Sequence, residues 1–166
     1  MRHRLLTAAI LALLGLAPAA QAAERITREE LEAIDQSINR AANAENFLAI
    51  APYLATEFVV RLKLADGTEI ELGRPEYLQV LQQNQESIRD YHSNIEQVEY
   101  RVAPDGLSAE IHQHSADRAI LKDGQVVTSR LRTMSHAVLR EGRIVFDRGE
   151  GEVLEQHAQR TPGQAL

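Results

Sequence analysis

Residues 93–155 read SNIEQVEYRV (93–102), APDG (103–106), LSAEIHQHSADRAIL (107–121), KDG (122–124), QVVTSRLRTMSHAVLR (125–140), EG (141–142) and RIVFDRGEGEVLE (143–155). The long segments are rich in β-branched and aromatic residues, and each boundary carries a glycine turn: Pro104-Asp105-Gly106, Asp123-Gly124 and Glu141-Gly142. Three such turns so close together leave little room for helix. The stretch predicts an antiparallel meander of four strands, Ser93–Val102, Leu107–Leu121, Gln125–Arg140 and Arg143 to near Glu155.

Upstream of the meander the pattern changes period. Thr27-Arg28-Glu29-Glu30 is a capping box, and Leu31, Ile34, Ile38 and Ala41 then recur at three- and four-residue steps, which predicts a first helix over about 27–44. Asn43-Ala44-Glu45-Asn46 ends it, and Phe47, Leu48, Ile50, Ala51 and Leu54 suggest a short second helix, with Pro52 tolerated in its first turn. Phe58 to Leu64, the turn Asp66-Gly67 and Thr68 to Leu72 read as a hairpin. Gly73-Arg74-Pro75 opens a third helix, with Tyr77, Leu78, Leu81 and Ile88 as its apolar stripe.

The two ends read differently from this body. Met1-Arg2-His3-Arg4, the apolar run Leu5 to Leu16 and the small residues Ala17 to Ala23 have the three parts of a signal peptide, with cleavage expected after Ala22. Pro18 ends the run short of the roughly 20 apolar residues that a membrane span needs. The expected domain therefore covers 23–155 and works in the periplasm or outside the cell. The tail from Gln156 to Leu166 is polar with Pro162-Gly163, and is expected to be disordered.

Composition narrows the chemistry. There is no cysteine among the 166 residues, so disulfides, a thiol nucleophile and thiolate metal ligands are excluded. Without Arg2 and Arg4, 16 basic residues face 24 acidic ones, a net charge of −8. Such a surface repels phosphate backbones, and no basic run or aromatic platform offsets it. Nucleic acid is not an expected partner, and after signal cleavage neither is a membrane.

The order helix, short helix, hairpin, helix and long meander resembles the nuclear transport factor 2-like superfamily, which includes SnoaL-like proteins and steroid isomerases. Asn43-Ala44-Glu45-Asn46-Phe47-Leu48-Ala49-Ile50-Ala51-Pro52-Tyr53-Leu54-Ala55 is similar to that superfamily's link between its first helices. Gly73-Arg74-Pro75-Glu76-Tyr77-Leu78 resembles its entry to the third helix, and Glu141-Gly142-Arg143-Ile144 its final hairpin. The resemblance covers about residues 27–155. It implies an α+β fold in which a curved antiparallel sheet wraps round the N-terminal helices, a cone-shaped, cystatin-like α+β barrel with a pocket in its wide end. It implies no reaction, because one fold hosts enzymes, carriers and assembly modules alike. In the steroid isomerases a tyrosine on the first helix and an aspartate after the second shuttle the proton; here those positions hold Ile38 and Leu62, which disfavours that mechanism.

Histidine chemistry comes next, since imidazole serves as base, acid or metal ligand. His112 and His114 share a face of a regular strand. A two-residue loop at Asp123-Gly124 would pair Ile111 with His136 and send His136 to the other face. A three-residue loop with a glycine bulge would gather all three histidines on one face, as a three-histidine zinc site requires; no metal or other cofactor is assigned. At the last hairpin, a two-residue turn at Glu141-Gly142 places His136 opposite Asp147 and Met134 opposite Gly149. A carboxylate beside an imidazole fixes its tautomer and raises its basicity, so His136 and Asp147 are the candidate catalytic pair, with an ordinary cross-strand ion pair as the alternative.

The expected pocket is lined by the strands around Met134, His136 and Asp147 and by the helices carrying Leu31, Ile34, Ile38 and Tyr53, with Ile38, Tyr53, Leu62, Tyr91 and Met134 as ligand-contacting residues. Three functions fit: a carrier or sensor binding a small, partly apolar ligand; a cofactor-free isomerase, dehydratase or cyclase using His136 and Asp147; or a homodimeric interaction module pairing through the open sheet face.

Overall fold

The computed structural model describes residues 24–160. The expected signal peptide and the last six residues of the expected tail lie outside the described residues. The first helix, α1 (Arg28–Asn43), starts where the capping box puts it: the Glu30 amide donates to Thr27 Oγ1 at 3.3 Å, and the Thr27 amide to Glu30 Oε2 at 3.2 Å. These bonds satisfy donors that a helix start leaves open. A 3₁₀ helix (Phe47–Tyr53) follows, with Pro52 inside it. Strands β1 (Leu54–Lys63) and β2 (Glu69–Gly73) form the hairpin, and helix α2 (Arg74–Ser87) begins with Pro75 in its first turn.

Ile88 is not part of the last helix. It caps α2 in an extended conformation and opens β3 (Ile88–Val102), where it pairs with Leu121. β4 (Ser108–Leu121), β5 (Gln125–Arg140) and β6 (Arg143–Arg160) complete a six-stranded sheet of order β2-β1-β6-β5-β4-β3. The sheet is mixed rather than wholly antiparallel, because β1 lies parallel to β6. It is also open, with β2 and β3 at its edges, so no barrel closes. β6 continues five residues past Glu155: Gln156 to Arg160 pair with Ser129 to Gln125, and those tail residues are strand because the long β5 offers them a ladder.

The helices cover one face of this sheet. α1 packs on β3, and α2 packs against β1, β2 and the 3₁₀ helix. The core beneath them joins Ile26, Leu31, Leu54, Phe58, Val60, Ala109, Ile111, Ala137 and Phe146, all buried. Phe58 meets the Tyr77 ring of α2 at 5.4 Å between centroids. No described helix is long and apolar enough to cross a membrane.

Two turns set the register on which the site depends. At the last hairpin Glu141 and Gly142 both have positive φ (51° and 71°), the pair of left-handed residues that a two-residue hairpin loop demands. Arg140 accordingly faces Arg143 and Val138 faces Val145, but an irregularity after Ala137–Phe146 leaves Asp147 bulged, so that His136 lies opposite Arg148 and Met134 opposite Glu150. At the preceding turn Gly124 has φ 83°, the loop is Lys122-Asp123-Gly124, and Glu110 faces His136. The three-residue alternative is the one realised.

Candidate functional site

Side chains alternate across a strand, so these registers decide what shares a face. Ala109, Ile111 and Ala137 belong to the core under the helices. By parity His112, His114, Met134 and His136 therefore lie on the opposite face, away from the helices. The expected pocket is thus divided by the sheet. Ile38, Tyr53 and Leu62 are half-buried and pack against the core on the helix side. Tyr91 is there too, its ring edge-on to Phe47 of the 3₁₀ helix at 5.1 Å. Met134, His136 and Asp147 are on the helix-free face, where Met134 and the Leu62 segment of β1 line one trough.

On that helix-free face, the bulge at Asp147 keeps the expected pair in contact: His136 Nδ1 and Asp147 Oδ1 are 2.7 Å apart, with side chains 21% and 24% exposed. Glu110, directly across from His136, also holds His112 Nε2 at 2.8 Å, and the His112 contact keeps the Glu110 carboxyl below its ordinary value. A trough of about 850 Å³ crosses this face, bordered by Arg61, Lys63, His112, His114, Arg132 and Glu152 among others. Its charges are paired across strands: Lys63 Nζ with Glu152 Oε1 at 3.0 Å, Arg132 with the same carboxylate, and Arg61 with Glu71 at 2.8 Å. The three histidines share the face, yet no group of three His, Asp or Glu side chains is set to hold a metal ion among the described residues.

The helix side contains groups that the sequence reading passed over. Asp35 is buried on α1, one helical turn after Leu31. Its Oδ2 accepts from the Tyr100 hydroxyl at 2.7 Å, and Gln113 Nε2 donates to both of its oxygens at 2.8 and 2.9 Å. Burial raises the carboxyl above its ordinary value, while the bonds from Tyr100, Gln113 and Asn39 oppose the shift. Burial also raises the Tyr100 phenol, reinforced by Asp35.

A second carboxylate, Asp117, repeats the motif two helix-facing positions beyond Gln113. Tyr91 donates to its Oδ2 at 2.7 Å and Ser93 Oγ to its Oδ1 at 2.8 Å. Burial, then the Asp117 charge, raises the Tyr91 phenol. The end of α1 is clasped to the same strand, since Asn43 Oδ1 accepts from the Ser93 amide at 2.6 Å and Asn43 Nδ2 donates to the Ser93 carbonyl at 3.3 Å. One signal was present in the sequence: Asp35 interrupts the apolar stripe of α1, four residues after Leu31, where a solvated helix face has no place.

No family model matches the chain, and no curated protein matches it. Solved structures do. A candidate scytalone dehydratase from Novosphingobium aromaticivorans superposes with a TM-score of 0.64 at 12% identity, over 83% of this chain and 94% of that one. A nuclear transport factor 2-like protein of unknown function from Pseudomonas putida gives 0.60 at 11%, over 75% and 84%. This is the nuclear transport factor 2-like fold. A hexachlorocyclohexane dehydrochlorinase, LinA-type3, from Novosphingobium barchaimii gives 0.59 at 10%, over 80% and 89%. At these identities the nuclear transport factor 2-like likeness is one of fold.

Proposed function

We propose that this protein is exported and binds a small, partly apolar molecule between its helices and its sheet. The observation that carries the reading is the change of character along the helix-facing side of β4. Ala109 and Ile111 are buried core, and the next three helix-facing positions are Gln113, Ser115 and Asp117, with Asp35 brought to them from α1. A few placed polar groups beside apolar, half-buried side chains such as Ile38, Tyr53 and Leu62 is the composition of a small-molecule site. The floor beside them is made of small residues: a Cβ at Gly151 would stand 2.9 Å from Leu62 Cδ2, and one at Gly149 3.2 Å from Val60 Cγ2.

Native mass spectrometry of the protein from a periplasmic extract, gentle against denaturing conditions, tests this directly. A retained organic mass is expected, and an empty protein at every condition counts against the reading. Recovery of the full-length chain with residues 1–22 intact would overturn the export.

A second reading is favoured by the 2.7 Å contact of His136 with Asp147: a cofactor-free isomerase, dehydratase or cyclase with His136 as base. The structural neighbours named as a candidate scytalone dehydratase and a dehydrochlorinase support considering an elimination. His136→Gln should then abolish turnover, a loss of roughly 10²–10⁴-fold, while leaving ligand affinity intact. An unchanged rate would exclude this role.

A further inference from the structure

The two faces of the sheet carry different charge chemistry. No lysine, arginine or histidine occupies a helix-facing position of β3, β4 or β5 among the described residues; His92, His112, His114, Arg130, Arg132 and His136 all fall on the other face by register. The helix side holds instead two carboxylates, each tied to a tyrosine. Asp35 meets Tyr100, and Asp117 meets Tyr91. At the far end of β6 Arg160 stands opposite the helix-facing Gln125, and Arg28 and Arg74 approach that side from the helices. Arg28 lies over the Tyr100 ring at 5.6 Å and pairs with Glu32 at the surface. Arg74 donates from Nη2 to the Ala51 carbonyl at 3.3 Å, with its Nε buried and unpartnered.

We infer that the molecule bound between helices and sheet is neutral or cationic and presents hydrogen-bond donors, and that carboxylates and phosphates are turned away. The inference rests on the binding reading above and names the ligand class for it. A carboxylate is an acceptor only, with room for about two hydrogen bonds at each oxygen. Asp117 takes one at each oxygen from the protein, so a further donor on each is accommodated without displacing Tyr91 or Ser93. An anion in the same place would meet like charge in a partly desolvated setting, where opposition is weakly screened. Gln113, which holds Asp35, and Asp117 are four residues apart on β4, about 13 Å along a strand. That span suits a single-ring molecule with a polar group at each end.

The test uses a matched pair of probes that share ring and chain length and differ in terminal charge, tyramine and 3-(4-hydroxyphenyl)propionate, titrated calorimetrically into the purified protein. Tyramine should bind at least tenfold tighter than the propionate, and Asp117→Asn should weaken tyramine at least tenfold. Asp35→Asn is the second variant, accepted only if its circular dichroism matches the parent; if it does not fold, Asp117→Asn alone decides. Equal or tighter binding of the propionate would overturn the ligand class and point to the free Nε of Arg74 as an anion partner, leaving the binding site itself standing. Tyramine binding that neither variant weakens overturns the role of the carboxylates. If neither probe binds, the donor-ligand inference fails, while a mass retained in the native spectrum would still uphold the site.

Discussion

Asp35 ties the burial of one carboxyl to the stability of the whole chain. Its folded-state pKa is raised above the ordinary 3.8, chiefly by desolvation. Between those two values the folded state holds the proton that the unfolded state has released, so stability falls as pH rises through that window. Asp35→Asn removes this dependence. In urea titrations from pH 3 upward, the stability difference, variant minus parent, should grow more favourable to the variant as pH passes 3.8 and then level off; a difference that is flat or shrinks would mean that the tyrosine and glutamine bonds outweigh burial. The sequence showed this residue as a break in an apolar stripe, but not its partners, because Tyr100 and Gln113 lie 65 and 78 positions away. Leu31, fully buried one turn before it, is the complementary case. Leu31→Ala should cost about 2–5 kcal/mol in the same assay.

At the level of single elements, local chemistry spoke clearly wherever a turn or cap was built from neighbours in the chain. The Thr27 cap and the left-handed pair Glu141-Gly142 are where a reader of the sequence would put them. Thr27→Ala should lower stability by about 1 kcal/mol, and Gly142→Ala by about 1–2 kcal/mol because a Cβ is strained at that φ; denaturant midpoints measure both. What remained hidden was the bulge at Asp147, which no glycine or proline at that residue announces, and the side of the sheet on which the helices lie. β5 misleads on the second point. Its helix-facing residues include the small Thr133, Ser135 and Ala137, while Met134 and His136 point the other way. Residue size alone argues for the wrong face, and only the packing of α1 and α2 corrects it.

Across the whole molecule, the tail expected to be disordered is half strand. Residues 156–160 cover the beginning of β5, so a chain truncated after Glu155 should stay folded but lose on the order of 1 kcal/mol, the net worth of a few exposed ladder bonds offset by regained freedom. The same comparison by hydrogen exchange should show faster exchange confined to Gln125–Ser129. Order of elements and hairpin turns made the α+β architecture legible, while the parallel β1–β6 pairing that joins its two halves was not, since it connects segments with no common turn.

β3 borders the sheet with fifteen residues and, among the described residues, has no strand on its outer side. A straight edge of that length offers its backbone amides and carbonyls to any other extended chain. Here the register skips at Arg89 and again at Glu96, between Ile95–Ser115 and Gln97–His114, and Arg130 reaches from β5 to hold Glu96 at 2.8 Å. The edge is thereby divided into shorter runs that carry Asp90, His92, Glu99 and Arg101, a poor template for β-addition. Deleting Glu96 would join Ile95 directly to Gln97, each keeping its partner and its face, and leave a regular ladder from Asp90 to Val102. Such a chain should self-associate into light-scattering, dye-binding aggregates at concentrations where the parent stays clear, which makes one extra residue in an outer strand a guard on solubility.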